Sequence, residues 1–172
     1  YPFWQAYFSA IGLRPVLSRP TDRRIAGDGI ELALAQPCFP VQVAHGHVLS
    51  LFDLGVDYVL VPNMLDNEAH EDSPCVAHFC PWTQTLPYVL RSAPRLEAFG
   101  SRILAPSLHF QLGPDRVKEP LAEMAGHLGV RRRASDRAVD AAYAAQRRFQ
   151  ERLLEAGRRA LDALERAHAP GL

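Results

Sequence analysis

The stretch that decides the fold is VDYVLVP, from Val56 to Pro62. Its apolar residues are nearly continuous and include several β-branched side chains, which is typical of a strand buried on both faces. A second apolar run, RILAPSLHF from Arg102 to Phe110, predicts a later strand, and helical patterns surround both runs. Strands that alternate with helices indicate a parallel sheet. We therefore predict an α/β fold in which a Rossmann- or flavodoxin-like parallel sheet is sandwiched between helices in three layers, with a long C-terminal helix.

The other elements follow from apolar spacing and from residues that start or end helices. Apolar residues at helical spacing precede Gly12 and Gly55, and glycine commonly ends a helix. Thr21 is the predicted N-cap of one helix, and Pro81 suits the first residue of another. The polar, acidic stretch from Asn63 to Ser73 predicts an exposed loop. The predicted helices lie at 3–12, 22–35, 39–54, 80–93 and 118–130, and a short strand is predicted at RPVLS, 14–18.

The last segment predicts one long helix from about Ser135 to about Ala167, with Ser135 as its cap. Arginine, glutamate and glutamine occupy the faces on either side of an apolar stripe, so we expect the stripe to pack on the rest of the protein. The predicted division is an α/β domain at 1–133 and a C-terminal helix at 134–172. The stripe consists of Val139, Ala142, Phe149, Leu153, Ala156, Ala160 and Leu164.

Charge and composition exclude several classes of partner. The chain has 19 basic and 19 acidic residues, so no net field favours nucleic acid or an anionic membrane. The basic triplet at 131–133 is interpreted as a solvated linker. No apolar run approaches the roughly 20 residues that span a bilayer, and no signal peptide is visible. We predict a cytoplasmic protein that binds neither nucleic acid nor membrane.

The three cysteines are the main candidates for a functional site. An odd number fits reduced thiols or metal ligands better than a disulfide framework. Cys38 and Cys80 are each followed closely by proline and then by a helical pattern, which places both at helix N-termini. The helix dipole and the free amides favour thiolate there. Cys75 lies five positions before Cys80, and ligands of open parallel sheets bind beyond the strand ends. This topology permits the three thiols to converge on one rim of the sheet, which would make them a site.

Several kinds of site fit these residues. Iron–sulfur clusters need several thiolates, and three protein ligands leave one iron open. Zinc could use Cys75, His78 and Cys80 with Cys38 as a fourth ligand, although the usual Cys-x-x-Cys spacing is missing. Buried cysteines without a chemical role are a further alternative.

Nucleophilic catalysis would need a histidine beside a cysteine, and the sequence offers His45, His47 and His78. His45 and His47 are not spaced to share a helix face as i, i+4 residues would, so we interpret them as structural. Gly46, between them, would allow close helix packing. No catalytic residue is assigned.

Four strings of the chain resemble a known family. They are YPFWQAYFSAIGLRPVLS, CFPVQVAHGHV, GVDYVLVPNM and CPWTQTLPYVL, and the likeness covers roughly Tyr1 to Phe110. The family is the uncharacterised domain of acyl-CoA dehydratase activase-related proteins. It is often fused to, or encoded with, the ATPase activators of 2-hydroxyacyl-CoA dehydratases, and it is more distantly similar to the dehydratase subunits. The family's own activity is not established, so whether the chain is an enzyme stays open.

The resemblance implies a cofactor. The dehydratase subunits are α/β proteins that hold a [4Fe–4S] cluster through three cysteines and leave one iron open. By motif, Cys38 corresponds to the cysteine of C-F-P and Cys80 to that of the later C-P. Their third ligand comes from a later domain, for which Cys75 could substitute here. Gln42 stands where the family string has lysine, and members have a strand before YPFW that this chain is expected to lack.

The resulting hypothesis is a [4Fe–4S]-binding component that works with an ATP-dependent activase domain or subunit in 2-hydroxyacyl-CoA dehydratase-type electron transfer of anaerobic metabolism. A second dehydratase-like subunit is an expected further partner. The alternative is a non-enzymatic α/β interaction module whose cysteines are buried or bind zinc. Iron and zinc are therefore the two metals expected at Cys38, Cys75 and Cys80.

Overall fold

The structure, a computed structural model, describes residues 1–68 and 78–168 of the chain. Six α-helices, two short 3₁₀ helices (Glu97–Arg102 and Phe110–Leu112) and four short strands lie in these ranges. The α-helices are α1 (Pro2–Ala10), α2 (Arg23–Leu32), α3 (Phe39–Asp53), α4 (Pro81–Ser92), α5 (Pro114–His127) and α6 (Arg132–Arg166). The strands are β1 (Val59–Leu60), β2 (Asn63–Asp66), β3 (Ile103–Leu104) and β4 (Ser107–His109).

The four strands form one parallel ribbon that is interrupted by proline. β1 pairs with β3 and β2 pairs with β4, both in parallel. Across the break, the Val61 N–H donates to the Leu104 carbonyl and the Asn63 N–H donates to the Pro106 carbonyl, each at 2.9 Å. Pro62 and Pro106 lack an N–H and therefore cannot donate to the ladder where it breaks. Of the predicted strand at 56–62, Val59–Leu60 forms β1, and pairing continues beyond Pro62 as β2. The predicted strand at 102–110 is divided at Pro106 into β3 and β4.

Helices cover both faces of this ribbon. Alternate strand residues point to opposite faces, and the two sets enter two different hydrophobic clusters. One cluster joins the ribbon to α2, α3 and α4, and the other joins it to α1, α5 and α6. The fold is thus a mixture of helices and short parallel strands. The first set contains Val59, Val61 and Ile103, and the second contains Leu60, Leu104 and Leu108.

The predicted sheet was wider than the one in the described residues. The ribbon is two strands wide in the described residues, whereas a Rossmann-like sandwich has a larger sheet. The predicted strand RPVLS, at 14–18, has no regular structure, and Val16 and Leu17 are 42% and 60% exposed. A strand needs a neighbour for its N–H and C=O groups, and Pro15 removes one donor. The prediction of a strand at 14–18 is therefore wrong.

Two other local predictions misplaced the boundary of an element by a few residues. Asn63–Asp66, predicted as the start of an exposed loop, is strand β2, and both end residues are buried. The N-cap of α2 is Asp22, not Thr21, and its carboxylate accepts from the Ile25 N–H at 2.8 Å. Both corrections concern polar residues whose role depends on their neighbours in space.

The crossing of α2 and α3 depends on two glycines. A Cβ atom on Gly46 would overlap the backbone carbonyl oxygen of Ile25, and one on Gly29 would overlap that of Gln42. Each helix therefore approaches the backbone of the other at a position that admits no side chain. The prediction that Gly46 allows close helix packing is confirmed.

The long C-terminal helix packs on the protein through its first part only. Its buried residues are Ser135, Ala138, Val139, Ala142 and Tyr143, and from Arg147 to His168 the side chains are exposed or partly exposed. In the predicted stripe, Val139 and Ala142 are buried, but Phe149, Leu153, Ala156 and Ala160 are exposed and Leu164 is partly exposed.

The start of α6 also differs from the prediction. The helix begins at Arg132, with Arg131 as a cap that makes no side-chain hydrogen bond. Ser135 lies inside the helix, where its fully buried hydroxyl is 2.8 Å from the Tyr7 hydroxyl of α1. Tyr7 also donates to the Leu121 carbonyl of α5 at 3.1 Å. Ser135 therefore joins helices instead of capping one. Among residues 1–68 and 78–168, no helix has both the length and the apolar character that a bilayer crossing requires.

Candidate functional site

Cys38 and Cys80 occupy the same position in two different helices. Cys38 is the N-cap of α3 and Cys80 is the N-cap of α4, as predicted. Both are exposed free cysteines, and neither side chain makes a cap hydrogen bond. The two thiols are therefore accessible to a ligand and carry no structural hydrogen bond at the helix start. Their role as metal ligands stays a prediction.

A glutamine stands four residues after each cysteine and makes the same contact at both helix starts. The Gln42 side-chain amide donates to the Pro37 carbonyl at 2.9 Å, and the Gln84 amide donates to the Phe79 carbonyl at 2.7 Å. In both cases the acceptor is the carbonyl immediately before the cysteine. The pattern Cys-x-x-x-Gln thus has one geometry at two places in the chain.

The connections place both helix starts toward the same end of the ribbon. α3 leads into β1, whereas α4 follows β2 and leads to β3. Phe52, near the end of α3, and Leu90, near the end of α4, share a cluster with Val59 and Ile103, the first residues of β1 and β3. Both helices therefore run against the strand direction, and their N-termini lie toward the carboxyl ends of the strands. Ligands of parallel α/β proteins bind at that edge.

The third predicted ligand is not among the described residues. Cys75 belongs to residues 69–77, outside the described ranges. His78 is described and exposed, and it forms an isolated antiparallel bridge with Asp66. Within the described ranges, no three histidine, cysteine or acidic residues are grouped closely enough to hold a metal ion.

A buried acid–histidine pair at the same end of the ribbon was not predicted. One carboxylate oxygen of Asp66 lies 2.6 Å from Nδ1 of His109, and the other accepts from the Gln111 N–H at 2.9 Å. The Asp66 side chain is 4% exposed and that of His109 is 46% exposed. Asp66 ends β2 and His109 ends β4, so the pair stands at the carboxyl ends of two parallel strands.

This pair orients the imidazole. A carboxylate only accepts hydrogen bonds, so Nδ1 of His109 carries the proton that Asp66 accepts. In the neutral form, Nε2 then holds the lone pair on a half-exposed ring. Buried carboxylates orient histidines in this way in catalytic and metal sites. The sequence held only a weak signal of this pair. The strings VPNMLD and APSLH each continue a strand through a proline, and each ends in a titratable residue.

The histidines of the AHGH string have structural contacts. His45 is fully buried, and its Nδ1–H donates to the Val41 carbonyl of its own helix at 2.8 Å. Nε2 of His47 lies 2.9 Å from the Thr21 hydroxyl, which links α3 to the start of α2. These contacts agree with the structural interpretation.

Comparison with known proteins gives one result. A family model described as the CoA enzyme activase uncharacterised domain (DUF2229) matches residues 1–172. The match extends beyond the strings between Tyr1 and Phe110 and includes α5 and α6. A search of curated proteins and a search of solved structures each gave no match.

Proposed function

From the premise that the chain belongs to the CoA enzyme activase uncharacterised domain family, we propose that it is a [4Fe–4S]-binding component of a 2-hydroxyacyl-CoA dehydratase-type activase system. Cys38 and Cys80 supply two thiolate ligands. Cys75 supplies the third, or a second dehydratase-like subunit does. The observation that carries the proposal is the pair of exposed thiols in one geometry at two helix starts that face the same end of the ribbon.

The residues at this end suit a cluster with thiolate ligands. A helix N-terminus favours the anionic form of a thiol, which is the form that binds iron. Neither sulfur is engaged in a cap hydrogen bond, so binding a metal would break no cap hydrogen bond. Three protein ligands leave one iron open, and a cluster held in this way supplies one-electron transfer. The chain's own contribution is to hold the two thiolates at an exposed edge where a partner can approach.

The proposed partners follow from the family name and the open site. An ATP-dependent activase domain or subunit would deliver the electron, and a dehydratase-like subunit would receive it. The chain would act in the cytoplasm, where thiols stay reduced. Exposure of Cys38 and Cys80 supports a site that a second protein covers.

We also propose that the ribbon is the centre of a wider three-layer sheet of the Rossmann or flavodoxin type. Helices already cover both faces of the ribbon. A groove of about 710 Å³ lies beside β1 and is lined by residues 13–18 and 54–60. An additional strand in this groove would bond the edge of β1 that pairs with no other described strand.

Anaerobic reconstitution tests the cluster. The chain is incubated with ferrous iron and sulfide, desalted, and analysed for iron, sulfide and visible absorption. We expect a brown protein with broad absorption that the Cys38→Ser, Cys80→Ser double variant does not form. Cys75→Ser decides the third ligand, because colour is lost if Cys75 binds the cluster and is kept if it does not. Full colour in the Cys38→Ser, Cys80→Ser protein contradicts the proposal.

A second candidate is the interaction module with zinc-bound cysteines. It is favoured by the exposed apolar side chains of α6, where Leu153, Leu154 and Leu161 are 60–62% exposed. Elemental analysis of anaerobically purified protein separates the two functions. One equivalent of zinc without iron supports the module, and iron with sulfide supports the cluster.

A further inference from the structure

We infer that Gln42 and Gln84 are positioning residues that hold Cys38 and Cys80 in a ligand-ready conformation. The inference rests on the proposed function, since it assigns a role to residues that support the same thiols. Its basis is the identical contact of each glutamine with the carbonyl before its cysteine, at 2.9 and 2.7 Å.

An N-cap side chain normally stabilises the start of its helix. It accepts a hydrogen bond from an amide of the first helical turn, and serine, threonine, aspartate and asparagine serve this purpose. Cysteine sulfur is a weak acceptor. Proline at Pro40 and at Pro81 removes one first-turn amide donor from each helix. Both helices therefore begin without the usual support from the cap side chain, and neither thiol makes a cap bond.

The glutamines provide that support from inside the helix. Each reaches back over the first turn and donates to the carbonyl that precedes the cap residue. This hydrogen bond fixes the peptide group on the N-terminal side of the cysteine. On the other side, the cysteine carbonyl accepts a hydrogen bond from the first turn, from the Val41 N–H in α3 and from the Thr83 N–H in α4. The cysteine backbone is thus held on both sides.

The two cysteines have nearly the same backbone conformation. Cys38 has φ −58° and ψ 150°, and Cys80 has φ −53° and ψ 139°, so the two differ by 5° in φ and by 11° in ψ. This conformation keeps the sulfur at the exposed start of the helix. Because the glutamine supports the helix start, the thiol is left free to bind a ligand.

The test measures each thiol separately in the chain freed of metal with a chelator. Iodoacetamide is added, and the alkylation rate of each cysteine is followed by peptide mass spectrometry. Gln42→Met removes the donor but keeps the side-chain length. We expect Cys38 to react about threefold to tenfold more slowly, the effect of one lost hydrogen bond on the helix start, while Cys80 keeps its rate. Gln84→Met should slow Cys80 by the same factor and leave Cys38 unchanged.

Two further variants control the result. Gln42→Lys keeps a donor on a long side chain and should restore the Cys38 rate to within about twofold of the original. Gln5→Met makes the same change at an exposed glutamine of α1 and should leave both thiols unchanged. A glutamine with only a general structural role would alter both cysteines together.

Unchanged rates in both methionine variants, or equal slowing of both thiols in either variant, would overturn the inference. This outcome is independent of the cluster, because the alkylation needs no iron. Failure of the original chain to bind iron, with selective slowing intact, would instead count against the proposed function alone.

Discussion

The Asp66 carboxylate lies 2.6 Å from Nδ1 of His109 and joins the ends of two parallel strands. The same carboxylate accepts from the Gln111 N–H at 2.9 Å and is almost fully buried. A buried carboxylate is costly unless its oxygens are hydrogen-bonded, and both oxygens of Asp66 are. The pair therefore stabilises the same edge of the ribbon toward which the N-termini of α3 and α4 lie.

Replacing the acid should destabilise the protein. Asp66→Ala removes the acceptor of two hydrogen bonds to a charged group, so we expect the free energy of unfolding to fall by about 2–3 kcal/mol. Urea denaturation followed by circular dichroism measures this change. Asp57→Ala, at an exposed position before β1, is the matched control and should change stability by less than about 0.5 kcal/mol. Equal effects of the two substitutions would contradict the importance assigned to the pair.

The α2–α3 crossing predicts a sharp difference between two glycines. Gly46→Ala would place a methyl group on the Ile25 carbonyl oxygen, which cannot move without shifting α2. We expect a loss of about 3 kcal/mol or more, or an unfolded protein. Gly27→Ala in α2 meets nothing within 4 Å and should stabilise the protein by about 0.5–1 kcal/mol.

Thermal unfolding of both glycine variants checks the crossing. Gly29→Ala should behave like Gly46→Ala, because its new methyl group would meet the Gln42 backbone. Similar melting temperatures for the Gly27 and Gly46 variants would mean that the helices are farther apart than described.

Burial of Tyr143 predicts a loss of stability at high pH. Burial, with a smaller contribution from the negative charge of Glu68, raises the pKa of the Tyr143 phenol from 10.0 to about 12. The folded protein then keeps a proton that the unfolded chain releases between these values. The stabilisation is fully present below pH 10 and is lost as the pH rises through about 12, and it amounts to roughly 2 kcal/mol.

The comparison with Tyr143→Phe isolates this effect. Within the described residues, the Tyr143 hydroxyl has no hydrogen-bond partner, so the substitution removes the titrating group and breaks no bond. The original protein should lose more stability than the variant between pH 10 and 12, measured by urea denaturation at each pH. Burial also raises the pKa of Tyr7, but Tyr7 is present in both proteins and cancels in the difference. Parallel curves for the two proteins would refute the shift.

Truncation tests which part of α6 the fold needs. Side chains from Arg147 to His168 are exposed or partly exposed, so their removal deletes little buried surface. We expect a chain that ends at Gln146 to keep its melting temperature within about 2 °C, since less than about 0.5 kcal/mol should be lost.

A chain that ends at Asp136 is the contrast, because it also removes the buried residues Ala138, Val139, Ala142 and Tyr143. It should unfold or lose several kcal/mol, given about 1 kcal/mol or more for each large buried side chain. A large loss in the longer chain would instead show that the predicted helix at 134–172 packs along its whole length.

Local patterns predicted most of the helices. The starts of α3 and α4 could be located because proline at a first helical position and apolar spacing act within a few residues. The end of α3 before Gly55, which has φ +76°, was predictable for the same reason. The division of each strand could not be predicted as easily, because Pro62 and Pro106 interrupt pairing only when they lie opposite each other.

Errors arose where a side chain's role depends on a distant partner. Ser135 has the composition of a cap, but the Tyr7 hydroxyl, 128 positions away in the chain, binds it inside α6. The spacing of apolar residues along α6 was visible in the sequence, but this spacing does not show which part of the stripe another element covers. Val139 is buried and Leu153 is exposed, although both belong to the same stripe.

The sequence by itself determined the helix starts at Cys38 and Cys80 and the family of the chain, because these depend on neighbouring residues and short strings. Only the tertiary structure decided that Asp66 meets His109. This contact joins residues 43 positions apart through the register of parallel strands. That register is set by the pairing of strands in space, which no local pattern of residues specifies.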